Sequence, residues 1–458
     1  MSQESTIVIG GGISGLATAW FLYQEGYPVQ LLESRSQPGG TILTSDHQGY
    51  RIEHGPNSTL QRQGAPDDAL GRLIEQLDLE KEVVSAPPAA QIRYVVQNGQ
   101  PQPLPTSPLA FLTTRLFSLK AKLRLLAEPF IGRAKEEESI ASFVRRRLGK
   151  EFLNYAIEPF ISGVYAGNPE RLSVQAAVPK IYALEKQYRS LIFGAIARGR
   201  VAKGAGQPVG RMISFKNGMG QLPETVINQL PKGTVHLGHK VVALEPQPDG
   251  SFTIHWEKGE ETGTLNADRV VLALPAPAVA ELLAPFAPEA GEILHTIPYA
   301  PIASIAFGFK RSQVKHSLDG FGFLTPRSEK LRILGALFMS TLFKHRAPKD
   351  HVLLNVFVGG MMDTEVEETD DETLVNQMLK ELKQLLGLSG KPTFIFLTRH
   401  KRSIPQYTFG HLDRLKTFDQ MMENYPGLHF RANWREGISV ADCVKNAEIL
   451  VDSFEDFH

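Results

Sequence analysis

The chain has almost no cysteine and no excess charge of either sign. Its 458 residues include one cysteine, Cys443, so a disulfide within the chain and a metal site built from several thiolates are both excluded. No other metal-ligand motif is evident, and we expect no metal. Lysine and arginine total 49, as do aspartate and glutamate, so the net charge is zero and offers no attraction to nucleic acid.

Long apolar runs are also missing. The longest uncharged apolar stretch, residues 270–280, is shorter than the roughly 20 residues that cross a bilayer. The first five residues, Met-Ser-Gln-Glu-Ser, lack the basic segment of a secretory signal. We therefore expect a cytoplasmic protein without a transmembrane helix. Apolar side chains still make up 42% of the residues, enough for a large globular core.

The N-terminus has the pattern of a strand–helix–strand unit. Thr6–Ile9 is a short β-branched apolar run, and residues 13–25 place apolar side chains at helical spacing before Gly26. Residues 29–32 form a second apolar run, which Glu33 closes. Such a unit predicts a nucleotide-binding α/β domain.

A glycine-rich loop joins the first strand to the helix. It reads Gly10-Gly11-Gly12-Ile13-Ser14-Gly15, which is the pattern G-x-G-x-x-G. Gly10 permits the tight turn, Gly12 lets the backbone approach a pyrophosphate, and Gly15 lets helix and strand pack closely. The N–H groups at the start of the helix favour phosphate oxygens. Glu33 can accept the ribose hydroxyls and disfavours a 2′-phosphate, which excludes NADP but does not choose between NAD and FAD.

Two further turns follow Glu33. The first contains Ser34 and Arg35 and, four residues later, Gly39-Gly40; the second reads Glu53-His54-Gly55-Pro56-Asn57. This arrangement resembles flavoprotein oxidases of the amine-oxidase and phytoene-desaturase type. The resemblance implies FAD, with both turns continuing along the diphosphate toward the flavin. We expect the FAD to be non-covalent, because the cysteine that bonds to flavin in some related oxidases sits in a different motif from Cys443.

The rest of the chain predicts an interrupted nucleotide domain. Residues 93–105 form a predicted hairpin with Asn98-Gly99 in its turn, residues 109–198 are helical and basic, and residues 437–452 form a closing helix. We expect an α/β fold in which a Rossmann-like FAD-binding domain is interrupted by a mixed-sheet substrate domain and a helical insert. The expected FAD-binding domain is 1–85, 205–280 and 415–458, the substrate-binding domain is 86–110 and 281–414, and the helical, membrane-associating domain is 111–204.

Several motifs in the second half narrow the family. They are the segment EPFISGVYAGNPERLS at residues 158–173, GFGFL at 320–324, GALF at 335–338, FVGG at 357–360, and IPQY at 404–407 followed by Gly410-His411. Together they resemble the protoporphyrinogen oxidase family over nearly the whole chain, from about residue 6 to residue 451.

This resemblance implies a set of binding residues. Arg93 would pair with a propionate of a tetrapyrrole, since a guanidinium binds a carboxylate through two hydrogen bonds. The other implied contacts are Leu324, Leu337 and Phe357 against the tetrapyrrole rings, the Gly163 carbonyl facing the substrate, Val241 beside the adenine, and Gly437, Ile438, Ser439 and Val440 against the isoalloxazine. The Ser439-x-x-Asp442 spacing predicts an N-terminal cap, and the positive end of that helix would face negative charge on the reduced flavin.

The implied reaction removes six hydrogens from protoporphyrinogen IX in three flavin cycles, with oxygen as acceptor and hydrogen peroxide as product. No catalytic side chain is expected, because the flavin carries the chemistry. Coproporphyrinogen III oxidation is the nearest alternative, and its substrate has four carboxylates. An amine oxidase, a carotenoid desaturase or a non-catalytic flavin or porphyrin carrier are further alternatives. The resemblance also suggests a homodimer.

One departure from the family pattern concerns the flavin loop. The family usually reads Ala-Gly-Asn where this chain has Arg431-Ala432-Asn433. If that glycine needs a positive φ, Ala432 costs about 1 kcal/mol or more.

A basic amphipathic stretch lies in the helical segment. Its predicted apolar stripe is Leu112, Leu116, Leu119, Leu123, Leu126 and Phe130, with Arg115, Lys120, Lys122 and Arg124 around it, and Pro129 is expected to end the helix before Phe130. Two interpretations remain open. The stripe can lie in the inner face of a membrane, which family members often contact through this region, or it can pack on its own domain.

Overall fold

The computed structural model describes residues 4–204 and 210–455. The strands, in chain order, are β1 (Thr6–Ile9), β2 (Val29–Glu33), β3 (Thr44–His47), β4 (Tyr50–Glu53), β5 (Thr59–Gln61), β6 (Val83–Ser85), β7 (Arg93–Gln97), β8 (Gln100–Pro103), β9 (Arg211–Phe215), β10 (Val235–Leu237), β11 (Lys240–Pro246), β12 (Phe252–Lys258), β13 (Glu261–Ala267), β14 (Arg269–Leu272), β15 (Tyr299–Lys310), β16 (Gly322–Leu324), β17 (Ile333–Leu337), β18 (His351–Gly359), β19 (Phe394–Pro405) and β20 (Leu428–Phe430).

The helices of the same residues are α1 (Ile13–Gln24), α2 (Ala69–Gln76), α3 (Pro108–Thr113), α4 (Leu119–Leu126), α5 (Ile140–Arg147), α6 (Lys150–Phe152), α7 (Glu158–Tyr165), α8 (Val174–Ala177), α9 (Pro179–Tyr188), α10 (Leu191–Gly204), α11 (Gln221–Gln229), α12 (Ala276–Leu283), α13 (Pro288–His295), α14 (Met339–Leu342), α15 (Asp371–Leu386), α16 (His411–Met422) and α17 (Val440–Glu455). A π-helical turn, Leu153–Ile157, joins α6 to α7.

A parallel sheet carries the predicted nucleotide unit. Its strand order is β10-β2-β1-β14-β20, and every pair in it is parallel. Strands β1 and β14 are buried along their whole length, which explains their continuous apolar sequences. Helices α1 and α17 belong to the core on one side of the sheet, and α12 and α16 to the core on the other. The predicted α/β class and the strand–helix–strand unit are confirmed.

The strand-like pattern of residues 235–244 is divided between two strands in the structure. Gly238 has a φ of +75° and ends β10 after three residues. The next strand, β11, pairs with β12 in a separate three-stranded sheet with order β11-β12-β13. Apolar periodicity does not show this break, because both strands have the same alternating pattern.

A seven-stranded mixed sheet forms the second layer. Its order is β19-β15-β18-β17-β16-β7-β8, and β7 and β16 are its one parallel pair among the described strands. The β7–β8 hairpin turns at Asn98 and Gly99, whose φ values of +53° and +72° confirm the predicted turn. One face of this sheet packs on α15, and the other face carries the candidate substrate contacts.

The helical segment contains a buried ion network. Arg147 pairs with Glu128 and Glu185, and the Arg147 and Glu128 side chains have no exposed surface. Glu128 also accepts hydrogen bonds from the Ser190 hydroxyl and the Leu191 amide, which holds the start of α10 in place. The charges are therefore compensated within the segment.

The predicted single stripe across residues 112–130 is corrected by the structure. The chain forms two short helices, α3 and α4, with a break between them, and Leu116 in that break is buried at 3% exposure. Lys122 Nζ donates to the Leu112 and Thr114 carbonyls, so it closes the break instead of facing solvent freely. Among residues 4–204 and 210–455, no helix combines the length and the apolar content that crossing a bilayer requires.

The division into three domains remains a prediction. Three of its boundaries, 110/111, 280/281 and 414/415, fall inside helices α3, α12 and α16. The strands of the parallel sheet come from three separate stretches of the chain, since β20 follows β14 by more than 150 residues.

Candidate functional site: a nucleotide loop beside an open sheet face

The glycine loop after β1 has space for a ligand at one position only. A β-carbon on Gly15 would lie 1.9 Å from the Gly10 carbonyl oxygen, so helix α1 can approach the loop only if residue 15 is glycine. A β-carbon on Gly12, in contrast, would meet no protein atom within 4 Å. Since the first three N–H groups of α1 have no partner within the helix, the open space at Gly12 borders free donors.

Glu33 organises the backbone around this loop. Its carboxylate accepts hydrogen bonds from the Gly11 amide at 2.6 Å and the Arg35 amide at 2.7 Å. The Ser34 hydroxyl adds a longer contact of 3.2 Å. A carboxylate has about four acceptor positions, so Glu33 can still accept a ribose hydroxyl.

The first of the two predicted turns, which contains Gly39-Gly40, lies directly beside the loop. The Gly39 amide donates to the Gly11 carbonyl at 2.8 Å. A β-carbon on Gly40 would lie 3.3 Å from the Gly12 α-carbon. Arg35 Nη1 donates to the Gly40 carbonyl at 2.8 Å and holds this turn in place.

Further contacts connect the Gly39-Gly40 turn with the seven-stranded sheet. A β-carbon on Gly55 would lie 2.3 Å from the Thr41 carbonyl oxygen, so the 54–57 turn packs against the segment after Gly40. At its far end, Asn57 Oδ1 accepts a hydrogen bond from Asn355 Nδ2 of β18 at 2.9 Å. The turn that includes Pro56 therefore runs from the nucleotide loop to the open face of the sheet.

Helix α17 begins on the other side of these contacts. Ser439 Oγ accepts from the Asp442 amide at 3.1 Å, as the predicted cap requires. Helices α1 and α17 belong to one core, in which Cys443 contacts Ser14. Burial raises the pKa of the Cys443 thiol to about 11, so the reactive thiolate is scarce near neutral pH.

The loop before α17 accommodates Ala432 without backbone strain. Ala432 is not among the described residues with positive φ. The left-handed conformations fall instead on Glu436 and Gly437, with φ values of +48° and +130°. The penalty that a glycine-to-alanine change would carry does not arise, because residue 432 does not need the conformation that favours glycine.

Three predicted substrate contacts share one face of the seven-stranded sheet. Leu324 pairs with Gly335, which pairs with Phe357, so these residues form one row across three strands. Leu337 lies two residues beyond Gly335 and therefore on the same face. All three large side chains are half-buried, whereas their strand neighbours on the opposite face are buried in the core.

Helix α7 covers one end of this face. A β-carbon on Gly163 would lie 2.6 Å from Leu324 Cδ2, so these two residues are in contact. Sequence reasoning did not single out Phe160 and Val164, which are three residues before and one residue after Gly163 and stay 39% and 40% exposed. They are four residues apart and therefore lie on one side of α7, a spacing that is visible in the sequence.

Arg93 lies beside this face on β7. It is exposed and stands opposite Gly322 in the parallel β7–β16 pair. Its guanidinium stacks over the Phe321 ring at 5.1 Å. No carboxylate of the described residues pairs with it, so its hydrogen-bond donors are available to a ligand.

Val241 lies at the opposite end of the site. Just before it, the His239 amide donates to the Glu33 carbonyl at 2.9 Å. Val241 pairs with Trp256 of β12, next to the end of β2. The position fits a contact with the base of a nucleotide whose ribose is near Glu33, and this role of Val241 remains a prediction.

Comparisons with known proteins agree with this geometry. Residues 13–448 match the model of the family described as flavin containing amine oxidoreductase. The chain is 30% identical to coproporphyrinogen III oxidase of Bacillus subtilis over 98% of this chain and 97% of that protein. It is also 30% identical to protoporphyrinogen oxidase 2 of Arabidopsis thaliana, over 99% and 95%. A crystal structure of a candidate protoporphyrinogen oxidase from Exiguobacterium superposes with a TM-score of 0.83, at 26% identity and full coverage of both chains.

The cofactor is FAD, and the residues present fit it. The open position at Gly12 is the space that a pyrophosphate needs, and the carboxylate of Glu33 stands where a ribose lies in such folds. The 54–57 turn connects the segment after Gly40 with the seven-stranded sheet, and a contact of this turn with the flavin remains a prediction. Within the described residues, no group of three or more His, Cys, Asp or Glu side chains is arranged to hold a metal ion.

Proposed function

Because the chain belongs to the flavin containing amine oxidoreductase family, and within it to the group of protoporphyrinogen and coproporphyrinogen oxidases, we propose that it oxidises protoporphyrinogen IX to protoporphyrin IX. When bound, FAD accepts two electrons in each cycle, so removal of six hydrogens takes three cycles, and oxygen, the proposed acceptor, yields three molecules of hydrogen peroxide.

One observation carries this proposal. The half-buried row of Leu324, Leu337 and Phe357 lies where the 54–57 turn reaches the sheet, so an apolar surface adjoins the end of the FAD site. A flat apolar macrocycle gains free energy by covering such side chains and excluding water. Because residue 163 has no side chain, α7 packs against Leu324 without displacing it from this apolar surface.

Arg93 is the proposed partner of a propionate. Its unpaired guanidinium stands beside the apolar row, and the Phe321 ring fixes its orientation. One carboxylate bound at this position would orient the macrocycle over the flavin. Chemistry at the ring needs no acid, base or nucleophile from the chain.

Coproporphyrinogen III is the second candidate substrate. The relative from Bacillus subtilis carries the name of that activity and is as similar to this chain as the plant proteins are. Coproporphyrinogen has four carboxylates, whereas the apolar row beside Arg93 offers mainly hydrocarbon contact. The predominance of hydrocarbon contacts therefore favours protoporphyrinogen IX, the substrate with two carboxylates.

Anaerobic reduction distinguishes the two candidates. The yellow holoprotein would be mixed with each porphyrinogen without oxygen, and bleaching of the visible flavin band would be followed before oxygen is readmitted. Faster bleaching by protoporphyrinogen, followed by porphyrin fluorescence and peroxide, is the expected result. Faster bleaching by coproporphyrinogen would identify coproporphyrinogen III as the substrate instead. Bleaching by neither compound would refute porphyrinogen oxidation.

We also propose that the helical segment rests on the inner face of an anionic membrane, which would suit a poorly soluble product. Its exposed apolar surface consists of Leu112, Leu119, Leu123, Leu126 and Phe130, which are 58–89% exposed. Arg115 and Lys120 are exposed beside them and can attract anionic headgroups. A soluble monomer seldom exposes so many neighbouring large apolar side chains.

Flotation with liposomes tests this surface. Wild-type protein should float with vesicles that contain phosphatidylglycerol, and the double change Leu119→Asn with Leu126→Asn should abolish flotation. The matched control is Leu60→Asn, since Leu60 is 48% exposed on β5 and outside the helical segment. Equal flotation of all three proteins, or none by the wild type, would refute the membrane proposal.

A further inference from the structure

Three side chains on or just after strands of the seven-stranded sheet form hydrogen bonds with the 54–57 turn or with the loop before α17. They are Asn355 on β18, His400 on β19 and Tyr407, two residues after the end of β19. We propose that these side chains position the isoalloxazine ring, while the glycine loop and Glu33 hold the ADP half. This inference rests on the FAD cofactor and is independent of which substrate is oxidised.

His400 anchors one end of the 54–57 turn. Its Nε2 lies 2.7 Å from the His54 carbonyl oxygen. Because a carbonyl only accepts, Nε2 carries the proton and donates it. His400 faces the same side of the sheet as Thr398 and Phe357, since β19, β15 and β18 pair in register through Ser304.

Asn355 anchors the other end of that turn. Its Nδ2 donates to Asn57 Oδ1 at 2.9 Å, and both side chains are buried, at 4% and 7% exposure. Asn57 in turn donates to the Gly55 carbonyl at 3.2 Å, which keeps the turn closed. Side chains of β18 and β19 thus hold both ends of the turn through hydrogen bonds and fix its distance from the sheet.

Tyr407 fixes the segment on the opposite side of the site. Its hydroxyl donates to the Asn433 carbonyl at 2.6 Å and accepts from the Gly437 amide at 3.0 Å. The ring is 2% exposed and stacks on His411 with ring centres 4.3 Å apart. One hydroxyl therefore closes the loop that leads into α17, where the resemblance places contacts with the isoalloxazine.

The two halves of the FAD site therefore depend on different segments of the chain. The ADP half would meet the glycine loop, Glu33 and the Gly39-Gly40 turn, whereas the three side chains bond to His54, Asn57, Asn433 and Gly437. The isoalloxazine would lie between these two bonded segments, whose positions depend on the seven-stranded sheet. Removal of a sheet anchor should therefore change the binding and spectrum of the ring and leave ADP affinity unchanged.

The experiment titrates each apoprotein with FAD and, separately, with ADP. For His400→Leu, Asn355→Leu and Tyr407→Phe, we expect the Kd for FAD to rise about tenfold, the effect of losing one buried hydrogen bond. The Kd for ADP should stay within about twofold, since no contact with the ADP half is removed. The visible absorption band of bound FAD should also shift, which a general loss of stability would not cause.

Matched variants keep the test decisive. His400→Gln retains an N–H at similar reach and should restore most of the FAD affinity. Tyr425→Phe removes another tyrosine hydroxyl, which donates to the Phe286 carbonyl away from the site, and should change neither Kd. Glu33→Gln should weaken FAD and ADP together.

Two results would overturn the inference. If the anchor variants bind FAD with unchanged affinity and spectrum, the sheet does not position the ring. If ADP weakens as much as FAD, the anchors support the whole fold instead. Both results are obtained without any porphyrinogen, so they leave the proposed substrate to be judged by its own test.

Discussion

A β-carbon on Gly163 would fall 2.6 Å from Cδ2 of Leu324, so helix α7 meets strand β16 at a position that only glycine fits comfortably. The glycine leaves the Leu324 side chain undisturbed on the half-buried face of the sheet. This contact at one end of the proposed substrate surface therefore joins two residues 161 positions apart in the chain.

Gly163→Ala should narrow the space at this end of the proposed substrate surface. The added methyl group would push Leu324 toward the space proposed for the macrocycle, and one methyl group in an apolar pocket changes specificity by about tenfold or more. We expect kcat/KM for the porphyrinogen to fall by about that factor with FAD content unchanged. Steady-state kinetics with Gly163→Ala/Leu324→Ala provide the control, since the second change makes room and should recover part of the loss. An unaffected single variant would contradict the contact.

Arg93→Ala should raise KM and spare kcat and flavin loading. A charge-assisted hydrogen bond contributes about 1.5–3 kcal/mol, so we expect KM to rise about tenfold or more. Arg93→Lys should give an intermediate KM, because the ammonium keeps the charge but loses the planar fork. Arg145→Ala, an exposed arginine of the helical segment, serves as control. Steady-state KM equal to wild type in Arg93→Ala would remove Arg93 from the proposed site.

Gly12→Ala should lower the affinity for FAD, whereas Gly15→Ala should lower the stability of the apoprotein. A β-carbon at Gly12 meets no protein atom, so apoprotein stability should be unchanged while FAD affinity falls, because the methyl group occupies the pyrophosphate space. A β-carbon at Gly15 lies 1.9 Å from the Gly10 carbonyl oxygen, so this variant should lose stability even without FAD. Urea unfolding of the apoproteins and FAD titration separate the two effects. Equal destabilisation of both apoproteins would show that Gly12 is needed by the fold itself.

Stability should fall in acid partly because of His429. Burial, together with nearby Arg269 and Arg431, lowers the pKa of this histidine to about 4. Between about pH 6.5, the usual histidine pKa, and about pH 4, the unfolded chain binds a proton that the folded chain does not. The free energy of unfolding should therefore decrease as pH falls through this window, by at most roughly 1.4 kcal/mol per pH unit for this group.

The measurement is urea unfolding of the holoprotein at several pH values between 6.5 and 4. His429→Gln cannot titrate there and should make the dependence shallower. His295→Gln, at an exposed position on α13, should leave it as in the wild type. His411, whose pKa burial also lowers to about 4, should maintain part of the slope in His429→Gln. A slope unchanged by His429→Gln would contradict this assignment.

Local patterns explain which parts of the fold were predictable. Strand β1 and helix α1 start at the predicted residues, because the apolar run and the glycine loop are contiguous signals. The hairpin turn at Asn98-Gly99 is confirmed for the same reason. The single stripe across residues 112–130 was wrong, because periodicity cannot show that Leu116 packs inward between two short helices.

The contacts that join the two halves of the site were not visible in the sequence. Asn57 and Asn355 are 298 residues apart, and His54 and His400 are 346 residues apart. No pattern within a short window relates such residues, since their contact depends on how two sheets pack. The four-residue spacing of Phe160 and Val164 is visible in the sequence, but these residues were missed because their exposure of 39% and 40% is visible only in the structure.

By itself, the sequence determined the nucleotide loop, the FAD family and the order of the main elements, because each depends on neighbouring residues. Only the tertiary structure decided that Gly12 faces open space while Gly15 faces backbone, and that three side chains of the second sheet or its end hold both flavin-side segments. The physical reason is that free space and hydrogen-bond partners belong to pairs of residues brought together by packing, and packing acts between residues that are distant in the chain.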